Sequence, residues 1–202
     1  KDRGFDDYTQ DILKVNELLF PVLEEEVADE MYAYMEKVAA EGDSVGGVLE
    51  TVVTGFPKGV GEPWFDSMES MLSHMMFSIP AVKGIEFGAG FNMADMMGSV
   101  ANDPLKIENG RIVTATNNNG GINGGITNGM PIVFRTVIKP TPTIFRPQNT
   151  VDFKTMTETV LEAKGRHDPA IIHRARVVAD SVTALVLCDL LIMRFGTQFF
   201  GK

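Results

Sequence analysis

The chain has 202 residues, of which 44% are hydrophobic, and 27 acidic against 18 basic residues give it a formal net charge of −9. This length and apolar content suffice for one sizeable core or two small ones, and no apolar run reaches the roughly 18 residues that cross a membrane. The acidic balance argues against nucleic-acid binding, which requires clustered Lys and Arg. We therefore expect a soluble globular protein without nucleic-acid or membrane partners. An anionic ligand would have to bind where the local electrostatic potential differs from that of the acidic surface as a whole.

The amino-terminal residues and the cysteine content bear on where the protein works. Residues 1–20 contain neither an initiator methionine nor the basic-then-apolar pattern of a signal peptide, so we expect the chain to begin within a longer protein. Cys188 is the single cysteine, which excludes an internal disulfide and suits a reducing, cytoplasmic compartment. Its apolar setting, VTALVLCDLLI, predicts a small buried residue on a helix.

The first half of the chain alternates helical and strand-like patterns. Between Val22 and Ala40 apolar residues recur every three or four positions, which predicts an amphipathic helix. Residues 45–56 are β-branched and partly alternating, so they predict a strand. Residues 64–81 predict a second amphipathic helix, ended by Pro80, whose methionines serve as adaptable core filler.

The second half continues the alternation. Residues 81–91 predict a short, glycine-punctuated strand, and residues 92–116 an irregular excursion. A strand over residues 130–139 and a last helix over residues 169–194 follow the glycine-rich stretch. Because helices and strands alternate without βαβ spacing, and no repeat of 20 to 50 residues is visible, the predicted fold class is α+β.

The glycine-rich stretch, residues 116–129, reads TNNNGGINGGITNG. Glycine lacks a Cβ and adopts positive φ, so backbone amides here can approach a ligand closely, and asparagine tolerates the same conformations. The stretch has neither the G-x-G-x-x-G spacing of a dinucleotide site nor a Walker lysine and serine. A tight loop between strands and a ligand-binding loop both remain open.

The segment KPTPT, Lys139 to Thr143, follows the predicted strand. Two hydroxyls at alternate positions lie on one side of an extended chain, beside a lysine, and the prolines fix the backbone. Such a group can neutralise and hydrogen-bond a phosphate. The alternative is a proline-stiffened edge or turn.

The segment GRHDPA precedes the last helix. Arg166 offers a planar fork for a phosphate or carboxylate, His167 adds an imidazole beside it, and Asp168 is predicted to cap the helix. Arg174 and Arg176 lie in the first turns, where cations oppose the helix dipole unless a negative charge is nearby. Three histidines, one cysteine and the lack of an H-E-x-x-H motif predict no metal site.

Four segments in this order, EGDSVGG, GVGEPWFDSMESMLSHMMFSIPAVKGIEFGAGF, NNNGGINGGITNGMPIVFRTVIKPTPTI and GRHDPA, closely resemble the carboxyl-terminal part of the chorismate synthases. The resemblance implies an α+β sandwich of helices with an antiparallel or mixed sheet, assembled as a homotetramer. It implies one unit over residues 1–202, in which residues 1–40 are a helical lead-in and residues 41–202 form the flavin- and substrate-binding half of a core.

Members of this family convert 5-enolpyruvylshikimate 3-phosphate to chorismate and phosphate by a 1,4-anti elimination, in the shikimate pathway to aromatic amino acids. The resemblance therefore implies a phosphorylated small-molecule substrate and reduced flavin mononucleotide (FMN) as cofactor. Some members reduce this flavin with NADPH, but no nicotinamide motif stands in these residues.

The resemblance also implies site residues. Arg166 would face both flavin and substrate, and Asp168 would assist deprotonation at the flavin N5, which makes Asp168 the predicted catalytic residue. The full set of implied flavin contacts is Pro80, Ala81, Gly124, Lys139, Pro140, Thr141, Pro142, Thr143 and Arg166.

The chain also departs from the family pattern. Pro80 replaces a frequent asparagine and loses an amide donor, Ala170 replaces a common cysteine, and Val177 replaces a proline. The family's amino-terminal half, with two acid histidines and further substrate-binding residues, has no match here. We therefore expect the chain to be inactive alone, and a non-catalytic flavin- or phosphate-binding module remains the alternative.

Overall fold

The computed structural model describes residues 8–201. The α-helices are α1 (Tyr8–Glu17), α2 (Glu25–Ala40), α3 (Met68–Met76), α4 (Gly98–Ala101) and α5 (Ile172–Phe195). The strands are β1 (Gly47–Val53), β2 (Val82–Phe87), β3 (Leu105–Glu108), β4 (Arg111–Thr114), β5 (Ile122–Asn123), β6 (Ile126–Thr127), β7 (Ile132–Ile138), β8 (Gln148–Asp152) and β9 (Thr157–Leu161). Short 3-10 helices cover Gly90–Asp95 and Thr197–Gly201.

A three-stranded antiparallel sheet with the order β1-β7-β2 is the frame of the fold. Thr136 at the middle of β7 pairs with Leu49 of β1 on one side and Ile85 of β2 on the other. Alternate residues of β7, beginning at Ile132 and ending at Ile138, are buried, as the alternating pattern of its sequence requires. The strands predicted over residues 45–56, 81–91 and 130–139 are confirmed.

The core lies between the buried face of this sheet and helices α3 and α5. Met68, Leu72 and Met76 recur every four residues along α3 and are fully buried, and they form one apolar cluster with Phe134 of β7 and Leu190 of α5. The methionines of α3 therefore fill core space, as predicted. Helices over an antiparallel sheet make the α+β class of the prediction correct.

Two findings differ from the sequence prediction. Residues 92–116 are not irregular throughout, because β3 and β4 form a hairpin whose turn residues Asn109 and Gly110 have φ of 50° and 74°. Positive φ at both positions is typical of a type I′ turn, which asparagine followed by glycine favours. Cys188 is exposed rather than buried, because it lies on the face of α5 opposite the sheet.

Helix bounds also differ in detail. The helix predicted from Val22 begins at Glu25, and the one predicted over residues 64–81 covers only Met68–Met76. The latter begins where the Ser67 hydroxyl accepts a hydrogen bond from the Ser70 amide, 3.1 Å, as a helix cap. Within the predicted lead-in, residues 1–7 lie outside the described residues.

Candidate functional site

The predicted flavin contacts Ala81 and Lys139 meet where β2 begins and β7 ends. The Lys139 amide donates a hydrogen bond to the Ala81 carbonyl oxygen, 2.9 Å. Ala81 has a φ of 78°, a value that residues with a Cβ rarely adopt. Backbone strain of this kind persists only where the surrounding structure enforces it, and it concentrates at functional sites.

The KPTPT segment is fixed by residues 42–47, which precede and begin β1. The Ser44 hydroxyl donates to the Thr141 carbonyl oxygen, 2.7 Å, and the Phe145 amide donates to the Gly42 carbonyl oxygen, 2.9 Å. Gly46 lies so close to Ile138 that a Cβ would collide with the Ile138 carbonyl oxygen. Glycine is therefore required where these two stretches cross.

The same residues 42–47 also hold the segment that carries the arginine, histidine and aspartate. The Val45 amide donates to the Pro169 carbonyl oxygen, 2.8 Å. The imidazole of His167 lies edge-on to the Phe145 ring with the ring centroids 4.6 Å apart. Three stretches far apart in sequence, around Ala81, Lys139 and Asp168, thus converge at one end of the sheet.

Asp168 does not cap α5, which corrects the sequence prediction. The helix begins at Ile172, its capping residue is Ile171, and no side chain caps it. The Asp168 carboxylate accepts a hydrogen bond instead from the Arg174 guanidinium, with Oδ1 and Nη2 2.6 Å apart. This contact supplies the negative charge that the cation in the first turn of α5 needs.

Several polar groups at this end of the sheet have no partner in the described part of the chain. The Thr141 hydroxyl oxygen and the His167 Nε2 are buried and make no hydrogen bond. The side chains of Lys139 and Arg166 make no ion pair or hydrogen bond within residues 8–201. Because buried polar atoms are normally paired, the orphaned Thr141 and His167 atoms fit a hydrogen-bonding ligand such as a flavin or a phosphate.

The glycine-rich stretch combines structural glycines with one open position. A Cβ on Gly120 would lie 2.5 Å from the Gly88 nitrogen and 2.6 Å from the Val133 carbonyl oxygen, so packing requires glycine there. Gly124, at the turn between β5 and β6, has a φ of 57° and nothing within 4 Å of an added Cβ. Gly124 is thus free to approach a ligand.

Asp103 organises this glycine-rich loop. Its carboxylate accepts hydrogen bonds from the Thr116 hydroxyl, 2.7 Å, the Asn118 amide, 2.7 Å, and both the backbone and side-chain nitrogens of Asn119, 2.9 Å and 2.8 Å. Partial burial raises the pKa of Asp103, but these hydrogen bonds outweigh it and hold the pKa below its ordinary value. Sequence reasoning missed Asp103, since nothing in ANDPL marks a partner 15 residues away.

The structure does not bring Gly124 next to the other predicted site residues. The loop packs where β7 begins, with Val133 donating to the Gly120 carbonyl oxygen, 3.2 Å, whereas Lys139 follows the end of β7. Six residue steps along a strand separate its ends by about 20 Å, so the anchor of the loop and Lys139 lie toward opposite ends of β7.

A cleft of about 1040 Å³ lies between α2, β1 and the start of α5. Its walls include Val45 and His173, but none of the predicted site residues lines it. Among residues 8–201, no group of three His, Cys, Asp or Glu side chains could hold a metal ion. No helix in that part of the chain has both the length and the apolarity to cross a membrane.

Comparison with known proteins agrees with the fold and the motifs. The sequence model of the family described as chorismate synthase matches residues 7–192. A chorismate synthase of Thermococcus gammatolerans is 48% identical over 171 residues, covering 85% of this chain and 48% of the relative, and one of Archaeoglobus fulgidus is 52% identical over 155 residues, covering 77% and 43%. A crystal structure of chorismate synthase superposes with a TM-score of 0.77 at 30% identity, over 97% of this chain and 53% of the other.

The helix-covered antiparallel sheet of this chain is therefore the fold of the matched part of that solved enzyme. This chain belongs to the chorismate synthase family. The resemblance read from the four motifs is therefore confirmed. The chain spans about half the length of the curated relatives that it matches.

Proposed function

We propose that this chain supplies the flavin- and phosphate-binding half of a chorismate synthase. The complete enzyme would act as a lyase in the cytoplasm, converting 5-enolpyruvylshikimate 3-phosphate to chorismate and phosphate without net redox change, on the route to aromatic amino acids. The chain alone would be inactive, because it spans only about half of its curated relatives.

The observation that carries this proposal is the convergence of two segments, distant in sequence, on residues 42–47. The Ser44–Thr141 and Val45–Pro169 hydrogen bonds are 2.7 Å and 2.8 Å long, and they fix the KPTPT segment and the Asp168 loop to the same short stretch. Within residues 8–201 the Thr141 hydroxyl and the His167 Nε2 are buried without a hydrogen-bond partner, so both are available to a ligand bound at this crossing.

Each residue type at this end of the sheet has a role in the proposed chemistry. Reduced FMN, when bound, would lend an electron transiently so that phosphate can leave. Lys139 and Arg166 would hold phosphate oxygens, the latter with its planar fork, and thereby stabilise the charge that grows on the leaving group. The Thr141 hydroxyl would hydrogen-bond the flavin, and Asp168 would accept the proton at the flavin N5.

Complementation tests the proposal. Chorismate formation is measured anaerobically with reduced FMN for this chain alone, and for this chain expressed together with the amino-terminal half of the Thermococcus gammatolerans relative. We expect no product from the chain alone and turnover from the pair. Asp168→Asn should lower that turnover about 100-fold or more, the usual contribution of a positioned acid or base.

The control variant is Asp152→Asn, at the last residue of β8, which should leave turnover unchanged. Product from the chain alone would refute the expected inactivity. Full turnover by the Asp168→Asn pair would refute the assignment of Asp168.

A non-catalytic flavin- or phosphate-binding module is the second candidate, favoured by the half-length match to the relatives. A module would bind FMN, yet adding the phosphorylated substrate would leave the bound flavin's absorption spectrum unchanged. A chorismate synthase half that retains its substrate contacts would change that spectrum when substrate binds. Titration with FMN and then with substrate therefore separates the two candidates.

We also propose that the chain assembles with further protein through α5, as a homotetramer in the complete enzyme. Val177, Leu185 and Met193 of α5 are 59%, 62% and 54% exposed. Large apolar side chains exposed along one helix are candidates for a surface that another chain or segment covers. Light scattering of the chain, alone and with the complementing half, would give the assembly state.

A further inference from the structure

The contact between Asp168 and Arg174 has a role beyond stabilising the start of α5. We propose that Arg174 is the positioning residue for Asp168, and that by orienting this carboxylate it sets a preference of the site for reduced over oxidised flavin. The inference rests on the proposed function, because it takes Asp168 to be the residue that faces the flavin N5.

The geometry indicates orientation rather than stability. The Asp168 and Arg174 side chains are 34% and 59% exposed, and ion pairs with such exposure contribute little to folding. A cation in the first turn of a helix opposes the helix dipole, so the position of Arg174 in α5 does not stabilise its charge. The 2.6 Å hydrogen bond therefore has its main effect on the Asp168 carboxylate.

The loop that carries Asp168 is anchored on both sides of the carboxylate. Pro169 accepts the 2.8 Å hydrogen bond from Val45, and His167 packs against Phe145. With the backbone fixed, rotation of the side chain is the remaining freedom, and the bond from Arg174 to Oδ1 restricts it. No group within residues 8–201 donates to the second oxygen, Oδ2, which leaves it available to a ligand.

A carboxylate accepts hydrogen bonds and cannot donate them. The N5 of reduced flavin carries a hydrogen and donates, whereas the N5 of oxidised flavin has a lone pair and accepts. An oriented, ionised Asp168 would therefore stabilise the reduced form and repel the oxidised form. Without Arg174 the carboxylate could rotate away, and the discrimination between the two redox states would fall.

The test measures the dissociation constants of this chain for oxidised FMN and for anaerobically reduced FMN by titration calorimetry. The quantity of interest is their ratio, oxidised over reduced. In Arg174→Gln and Arg174→Met the ratio should fall roughly tenfold, the worth of one charge-assisted hydrogen bond. Asp168→Asn should lower it at least as much, and Arg174→Lys should keep part of it because one donor and the charge remain.

The matched control is Arg194→Gln, at the last turn of the same helix, which should leave the ratio unchanged. Two replacements of Arg174 are measured so that the result does not depend on one variant that folds poorly. Thermal melting of each variant shows whether it is folded.

Each outcome bears on a different statement. Equal weakening of both redox forms in the Arg174 variants would give Arg174 a structural role only and overturn the inference. An unchanged ratio in those variants, with a lowered ratio in Asp168→Asn, would overturn the inference and leave the proposed function intact. No FMN binding by the unmodified chain, or an unchanged ratio in Asp168→Asn, would overturn the assigned flavin site itself.

Discussion

Ala81 shows at the scale of one residue how the fold holds a strained backbone beside the proposed ligand. Its φ of 78° costs about 1–2 kcal/mol for a residue with a Cβ. Glycine at this position would remove that strain. It would also lower the free energy of unfolding by roughly 0.4–1 kcal/mol, because the unfolded chain gains conformational freedom. We expect Ala81→Gly to raise the free energy of unfolding by about 1 kcal/mol, measured by urea denaturation.

The matched control for that variant is Ala89→Gly. Ala89 has an ordinary helical φ of −69°, so only the unfolded-state term operates and the change should destabilise. A loss of stability in Ala81→Gly equal to that in Ala89→Gly would show that the backbone at position 81 is not strained.

Substitutions at Gly124 and Gly120 distinguish a ligand contact from a packing requirement within one loop. Gly124→Asn places a side chain in open space, and asparagine tolerates its φ of 57°, so folding should change by less than about 1 kcal/mol. If Gly124 faces the flavin, the same change should weaken FMN binding about tenfold or more through steric exclusion. The two quantities are measured by denaturation and by calorimetric titration.

Gly120→Ala is the opposite case, because its Cβ would meet backbone atoms at 2.5 Å and 2.6 Å. We expect it to destabilise folding by several kcal/mol, since close-packed backbone cannot move aside. Unchanged FMN affinity in a well-folded Gly124→Asn chain would assign the whole loop to structure.

At the scale of the element, the glycine-rich loop depends on the ionised carboxylate of Asp103. The pKa of this carboxyl is lowered in the folded chain by hydrogen bonds that outweigh the effect of partial burial. A carboxyl whose pKa is lowered by folding stabilises the folded chain at pH values above its unfolded-state pKa of about 3.9. This stabilisation is lost as the pH falls through the folded-state pKa. Unfolding free energies of the unmodified chain and Asp103→Asn should therefore differ by a constant amount above about pH 5 and converge below about pH 4.

Denaturant unfolding at several pH values gives that difference directly. Asp95→Asn, in the exposed 3-10 helix, serves as the control and should show no such convergence. A difference between the unmodified chain and Asp103→Asn that stays constant down to pH 3 would contradict the role of the carboxylate in the loop.

Helix α5 offers a comparison of its two faces. Leu190 is 2% exposed in the core cluster, so Leu190→Ala should cost about 2–5 kcal/mol of unfolding free energy. Leu185 on the same helix is 62% exposed, so Leu185→Ala should lower the free energy of unfolding by less than about 0.5 kcal/mol. Both variants are measured by denaturation of the chain alone. A large loss at Leu185 would mean that the outer face is already covered, for example by a second copy.

The elements with strong periodicity could be predicted from sequence, and those defined by long-range contacts could not. Helix α3 and strand β7 follow from residue spacing alone, since one face of each must be buried. The β3–β4 hairpin had a usable signal in Asn109–Gly110 that was missed. The exposure of Cys188 had none, because an apolar helix does not reveal which of its faces meets the sheet.

For the whole molecule, the site follows from topology as much as from motif chemistry. The residue types of KPTPT and of the Asp168 loop each indicated an anion site. Neither segment indicated that the other lies next to it in the fold. Antiparallel pairing of β1 and β2 with β7 is what brings residues 42–47, Ala81 and Lys139 to one end of the sheet. Sequence alone also could not show that Gly124 lies toward the opposite end, because loop position depends on the pairing register.

The most direct test of the site is to map where reduced FMN binds this chain. Amide chemical shifts of the isotopically labelled chain are recorded anaerobically by NMR before and after addition of reduced FMN. We predict saturable shifts concentrated at Ala81, Lys139, Thr141, Arg166 and Asp168. Shifts confined to the cleft between α2 and β1, or none at all at saturating flavin, would contradict the proposed site.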